Sequence, residues 1–390
     1  MKEASLSRVT KGRNTPPDHR SHDVLVVGAG LIGASIAYGL ARQGVNVCVL
    51  DEGDVALRAS RGNFGLIWVQ GKGLGAPAYA RWTRRSAGLW RQFLTDLTDI
   101  SGIAVPFEQR GGVELCQTEQ ELANRLNQME QLSAEARDLG FAYERLDAEG
   151  LRRHFPGIAA DVAGGVFTPY DGHVDPLRLL SALHTALARL GVPVRSHAGV
   201  VGLRALDHGG YVAETSSGGV EAAQLVLAAG LGTRSVAEQL GVAVPLHPIR
   251  GQVLITERLA PAFGLPTSIV RQTADGTVQI GSSQEDVGFD TGTRPEVLAA
   301  IARKAIRFFP FLKKVQVVRA WGALRIMSPD GLPIYDSPAD HPGCFIISCH
   351  SGVTLSPVHA LVLAPAIAGG LLPDGLRTFQ LERFHVSPPV

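Results

Sequence analysis

The sequence predicts a two-domain α/β protein, with a Rossmann-like dinucleotide-binding domain and a second domain built on a mixed sheet. Three observations carry that prediction. A glycine-rich turn near residue 28 joins a short β-branched run to a helical stretch. Strand-like and helix-like segments alternate along most of the chain. From Pro245 to Arg325 strand-like runs dominate instead, so a separate sheet belongs there.

Asp23-Val-Leu-Val-Val27 reads as a buried strand, Leu31 to Arg42 as a helix stopped at Gly44, and Val45 to Leu50 as the next strand. Together they make one βαβ unit. A helix is predicted from Tyr79 to Leu97, with Tyr79, Trp82, Leu89, Trp90, Phe93 and Leu97 at helical spacing. Thr118 and Glu121 have the spacing of a capping box that opens another helix. Asp175 and Pro176 suit the N-cap and first position of a third, closed by Gly191. Gln252 to Thr256 and Val315 to Ala320 read as strands, and one helix follows Pro295.

Composition narrows the function classes. Lys and Arg number 37 against 36 Asp and Glu, so no large field is available to recruit nucleic acid or an anionic membrane. A compact small-molecule substrate is expected. Cys48, Cys116, Cys344 and Cys349 are scattered, without the close pairs of a zinc site or an iron–sulfur cluster, and read as reduced structural thiols. No metal site is expected. Residues 1–21 are basic and polar, without the apolar core of a secretory signal, and are expected to form a disordered tail. Leu361 to Leu372 is apolar but too short to span a bilayer and contains Pro365, Gly369 and Gly370. A cytoplasmic protein without a transmembrane segment is therefore expected.

The chemistry starts at Gly28-Ala-Gly30-Leu-Ile-Gly33, with Asp51 about twenty residues on, at the end of the next strand. Gly28 permits the tight turn, Gly30 lets a pyrophosphate approach the backbone, and Gly33 lets the helix pack close on the sheet. The helix start at Leu31 and Ile32 presents free N–H groups to phosphate, while Asp51, with Glu52 beside it, suits ribose hydroxyls. This pattern alone does not separate FAD from NAD, and an NAD-dependent dehydrogenase fits it too.

Further motifs follow in order: Ala59-Ser60-Arg61-Gly62-Asn63-Phe64-Gly65-Leu66, Asp171-Gly-His-Val-Asp-Pro176, Val226-Leu-Ala-Ala-Gly230 and Pro248-Ile-Arg-Gly-Gln252. Trp321-Gly-Ala-Leu-Arg325, Ser328-Pro-Asp-Gly331 and His350-Ser-Gly-Val-Thr-Leu-Ser-Pro357 complete the set. The ordered series, spanning about residues 22 to 380, resembles the D-amino-acid oxidase superfamily of FAD-dependent oxidoreductases. Asn63 to Gly73 and Cys349 to Leu355 most resemble the FAD-containing β subunits of opine, D-hydroxyproline and proline dehydrogenases and of hydrogen cyanide synthase.

The resemblance implies an FAD-binding domain assembled from residues 22–82, 148–232 and 322–386, and a substrate domain from 83–147 and 233–321. It implies that Ser60 and Arg61 hold the pyrophosphate, that Asn63, Phe64, Gly65 and Leu66 line the flavin, and that Val200 faces adenine. Core packing is an equal account of Val200. Ala229 and Gly230 would end a strand beside the cofactor. Gly352, Val353, Thr354 and Leu355 would offer backbone N–H groups to the pyrimidine edge of the flavin, where reduction places negative charge.

Arg325 is the first candidate for binding a substrate carboxylate and would also lie beside the flavin. The family generally has Pro after this position; here Ile326 follows, and an Arg that caps a strand end is the alternative. His350 is the second candidate, placed where the glycine-oxidase branch carries another substrate-binding Arg. Arg250 fits a brace for the sheet. The implied activity is oxidation of the C–N bond of an amino or imino acid by hydride transfer to flavin N5, in a catalytic subunit that passes electrons to partner subunits. A self-sufficient oxidase using oxygen and a non-catalytic flavoprotein are the alternatives.

Overall fold

Val24 to Val27 in the strand His22–Val27, and Val47–Leu50, are apolar on both faces, which suits strands covered on either side. In the computed structural model, which describes residues 22–53 and 59–384, these two strands lie parallel and adjacent. The tail expected over 1–21, and positions 385 and 386, lie outside the described residues. Gly218–Leu227 pairs parallel with the other side of His22–Val27, and Cys344–Ser348 pairs parallel with Leu225 to Leu227. Val194–Arg195 continues the parallel set beyond Val47–Leu50. Ile334–Asp336, Tyr211–Thr215 and Gly202–Ala205 add antiparallel strands, completing an eight-stranded sheet. Three separated stretches of chain thus meet in one sheet.

Leu31–Ala41 is buried almost all round, as a helix must be when it packs between a sheet and other helices. It lies against Pro176–Arg189 and the helical run from Gly352 to Ala368. Asp175 caps the former with its side chain, accepting from the backbone N–H groups of Leu177 and Arg178 at 2.9 and 3.0 Å. The helix expected from Tyr79 to Leu97 runs over Pro77–Ser101, because Pro77 takes the first turn and Gly102, at φ 66°, ends it. Tyr79, Trp82, Trp90, Phe93 and Leu97 are its buried face. Thr118 and Glu121 form both hydrogen bonds of the capping box on Glu119–Glu135.

A second sheet runs in the order Val270–Gln272, Thr277–Gly281, His247–Arg258, Val317–Met327, antiparallel throughout. One parallel bridge, Val113 with Thr267, links it to the three-stranded sheet of Gly112–Cys116, Gly164–Thr168 and Glu144–Leu146. The strand expected to end at Ala320 runs on to Met327. Gly322 does not stop it: a Cβ there would lie 2.8 Å from the Thr291 carbonyl, so this glycine serves close approach of a neighbouring segment. Pro295–Phe308 packs across this sheet, burying Ile301, Ala305 and Phe308. Among the described residues no helix is long and apolar enough to cross a membrane.

Candidate active site

At the carboxyl end of His22–Val27 the chain turns at Gly28, whose φ of 107° and whose approach to the Ala228 carbonyl (2.4 Å from an added Cβ) both require glycine. A Cβ on Gly33 would lie 1.9 Å from the Gly28 carbonyl oxygen, so the helix can pack this close only without one. The first intrahelical hydrogen bond runs from the Ala34 N–H to the Gly30 carbonyl at 2.8 Å, so Leu31, Ile32 and Gly33 precede it. Ser60 receives one of those N–H groups, from Leu31 at 3.0 Å, and its hydroxyl would meet a Gly30 Cβ at 2.9 Å. Asp51 accepts from the Ala29 N–H at 2.8 Å and the Gly53 N–H at 3.0 Å, tying the end of Val47–Leu50 to the glycine turn.

These groups line a cavity of about 810 Å³. Gly28, Gly30, Leu31, Ile32, Asp51, Glu52, Ser60, Val200, Ala229 and Gly230 all face it. Val200 also packs at the edge of a core cluster. Backbone exposed at Gly30, a helix start whose Ile32 N–H precedes the first intrahelical bond and a carboxylate one strand away fit the pyrophosphate and ribose of a dinucleotide.

A second cavity, of about 340 Å³, shares Ala59, Leu324 and Ile326 with the first and is continuous with it in that sense. Asn63, Phe64, Leu66, Arg325, His350, Val353 and Thr354 line it. Asn63 folds its own turn, accepting from the Gly65 N–H at 2.7 Å, and Gly65 takes φ 82°. Thr354 fastens this segment to the last helix by accepting from the Trp68 N–H at 3.2 Å. Arg61 is exposed and lines neither cavity; Gly65 shapes a turn and Gly352 opens a helix, and neither is part of either cavity's lining. Leu355 is a correction: its N–H donates to the Ser351 carbonyl at 3.0 Å and its side chain is in the core. Once the helix starts at Gly352, the fourth N–H is spent inside it, leaving Gly352, Val353 and Thr354 as its unbonded first turn.

Arg325 points into the smaller cavity despite the Ile326 that follows it. Its two Nη groups donate to the Ser283 carbonyl at 2.9 Å and the Ser282 hydroxyl at 2.6 Å, which fixes the guanidinium plane. Among the described residues it has no ion-pair partner, and burial lowers its pKa. The segment that holds it is itself held by Arg250. That guanidinium is fully buried and pairs with Glu285 at 2.8 Å and with Asp290, while the Glu285 carboxylate also accepts from Ser283 and Gln252. Arg250 is thus a brace, as the sequence suggests.

Hydrogen bonding from Arg250 holds the Glu285 carboxyl down at about 2. A carboxyl lowered on folding contributes stability above its ordinary value and loses it as pH falls through the folded one. Glu285→Gln is therefore expected to lower stability at neutral pH by about 3 kcal/mol, the low end for breaking a buried pair because Asp290 remains. Its melting temperature should converge on that of the parent as pH drops from about 5 towards 2. A difference that stayed constant over that range would contradict the role given to this carboxylate.

One cavity residue has no role in the sequence reading. Lys72 Nζ lies 3.1 Å from His350 Nδ1; an ammonium can only donate, so with Lys72 charged the imidazole accepts there and, as a neutral ring, carries its proton on Nε2. Lys72, burial and Arg325 all push the imidazole well below its usual value, while burial, aided by Arg325, pushes the Lys72 amine down to about 8. The loop carrying Lys72 is anchored by Asp171, a buried carboxyl that accepts from the Val69 N–H and Gln70 Nε2 at 2.6 Å each. Burial pushes Asp171 up to about 7. The only sequence signal for Lys72 is its place in the stretch from Asn63 to Gly73.

A family model described as FAD dependent oxidoreductase matches residues 23–366. An opine oxidase subunit of Agrobacterium tumefaciens is 40% identical over 368 residues, covering 94% of this chain and 99% of that protein. Hydrogen cyanide synthase subunit HcnC of Pseudomonas aeruginosa is 28% identical, over 95% of this chain and 98% of that one. Among solved structures, glycine oxidase from Geobacillus kaustophilus superposes with a TM-score of 0.86 at 24% identity, covering 94% of this chain and 99% of that one. L-proline dehydrogenase from P. horikoshii gives 0.83 at 19%, over 94% and 98%. These two show the same fold.

Proposed function

The chain belongs to the DAO family of FAD-dependent oxidoreductases, and from that premise we propose that it oxidises the C–N bond of an amino or imino acid as the catalytic subunit of a heteromeric dehydrogenase. FAD is its cofactor. The observation that carries the proposal is Arg325: an oriented guanidinium without an acidic partner among the described residues, in a cavity adjoining the dinucleotide cradle. Such a group calls for an anion from outside the chain, and a carboxylate matches its fork.

The larger cavity would hold the adenosine and pyrophosphate, with Gly30 and Ser60 at the phosphates and Asp51 and Glu52 at the ribose. Phe64, Leu66 and the first turn of the Gly352–Val358 helix would meet the isoalloxazine. When bound, FAD supplies a hydride acceptor at N5, which is the hard step of the chemistry. The chain supplies position and charge. Arg325 fixes the carboxylate, and therefore the α carbon, relative to the cofactor. Arg325 and Lys72 disfavour a protonated amine in the same cavity, so the substrate binds with its nitrogen neutral, the form that can release hydride from the adjoining carbon. Neutral His350 can donate from Nε2. The imine that results can hydrolyse in solvent.

The names of the relatives add support for an opine-like secondary amine and for partner proteins, since the 40% relative is itself called a subunit. The four described cysteines, all free and buried, suit the expected reducing cytoplasm. Anaerobic addition of opines, prolines, D-amino acids and glycine to the FAD-loaded protein tests the proposal. One of these amines should bleach the flavin, and a flavin left oxidised by every one would overturn the reading. In air, the isolated chain should reduce an artificial dye faster than it releases hydrogen peroxide; rapid peroxide formation without gain from dye or partner would make it a self-sufficient oxidase.

The register of the second sheet offers a separate test. A Cβ on Gly251 would lie 2.5 Å from both Nη atoms of Arg325. Gly251→Ala is expected to keep FAD but raise the KM of a carboxylate substrate about tenfold, since a displacement of about 1 Å in a positioned group is costly. An unchanged KM would show that the guanidinium is free to move without loss.

A further inference from the structure

The smaller cavity holds two cations, Arg325 and Lys72, and none of its lining residues is an Asp or Glu. The nearest acid in Arg325's electrostatic surroundings, Glu285, is committed to Arg250. Arg325 is close enough to Lys72 to push its amine down, and among the described residues the Lys72 ammonium has one hydrogen-bond partner, the neutral His350. One carboxylate on Arg325 would leave the Lys72 ammonium, already desolvated by the cavity wall, without a counter-charge beside it, which is costly. A second anion resolves this.

We infer that Lys72 is a second substrate anchor, so that the site takes an amine flanked by two carboxylates, one held by Arg325 and the other by Lys72 with His350 steadying its amine. The inference rests on the reading of this cavity as an amino-acid site. It makes Lys72 a specificity-determining residue: monocarboxylate amines fill only the Arg325 half. The ammonium is mostly charged at pH 7, its pKa being about 8, and a bound carboxylate keeps it so.

The test uses the FAD-loaded full chain and two ethers that have no oxidisable nitrogen, diglycolate with two carboxylates and methoxyacetate with one. Binding is read by calorimetry and by quenching of Trp68, which lines the cavity. The parent should bind diglycolate about 10- to 100-fold tighter than methoxyacetate, as expected for one charge-assisted contact. Lys72→Met should bind both alike, at the parent's affinity for methoxyacetate, and Lys72→Arg should restore the preference. A preference that survives in Lys72→Met, or an equal loss for both ethers, overturns the inference. Because no turnover is needed, this outcome is independent of the C–N oxidation test. Amines that bleach the flavin without any diglycolate preference sink the anchor alone, and a preference without bleaching sinks the reaction alone.

Discussion

Gly30→Val should accumulate as a protein without FAD. The Cβ of any residue at this position would point at the Ser60 hydroxyl, 2.9 Å away, and two further methyl groups would add bulk at the wall of the larger cavity, which Gly30, Leu31 and Ile32 line. A pyrophosphate bound as proposed would come closest to the backbone at this helix start, and the helix dipole helps only at that distance. Displacing Ser60 would also release the hydrogen bond it accepts from Leu31. The expected readout is loss of the yellow absorbance through purification, with a lowered melting temperature that added FAD does not recover. A variant carrying a full complement of FAD would mean that the phosphates lie elsewhere.

Arg325→Ala should do the opposite, keeping FAD and losing substrate. Its side chain lies in the smaller cavity, away from Gly30 and Asp51, so the cradle for the phosphates is untouched. Removing a charged, hydrogen-bonded partner of a bound carboxylate costs about 2–5 kcal/mol, which lowers kcat/KM by roughly one and a half to three and a half orders of magnitude. The Ser283 carbonyl and Ser282 hydroxyl that it binds would lose their donor, but water can replace a guanidinium at a cavity wall. Flavin content and the midpoint of thermal unfolding should therefore stay near those of the parent while the rate of anaerobic reduction falls. Unchanged kcat/KM would move the carboxylate to another residue, with His350 next in line.

The parts of this site legible in the sequence are those whose chemistry is local. Gly28, Gly30, Gly33 and Asp51 act within one βαβ unit, and the Thr118 and Asp175 caps act within one turn, so spacing alone reveals them. Arg325 can be singled out as a candidate, but not its orientation, because Ser282 and Ser283 reach it across the sheet from 43 and 42 residues away. Lys72 and His350 are 278 residues apart, and neither alone signals a pair. Leu355 departs from expectation for a related reason: which N–H groups a helix leaves unbonded depends on its first residue, and the sequence marks that start only weakly at Ser351.

The central claim is that a carboxylate-bearing amine gives up hydride from the carbon next to its nitrogen. It is tested most directly by mixing the oxidised, FAD-loaded chain anaerobically with a substrate amine and with the same amine deuterated at that carbon, and following loss of flavin absorbance. The account predicts a single bleaching phase that slows on deuteration, with one imine, or the carbonyl compound and amine from its hydrolysis, formed per flavin reduced. Bleaching at an equal rate for both substrates, with no carbon–nitrogen bond oxidised in the product, would contradict it.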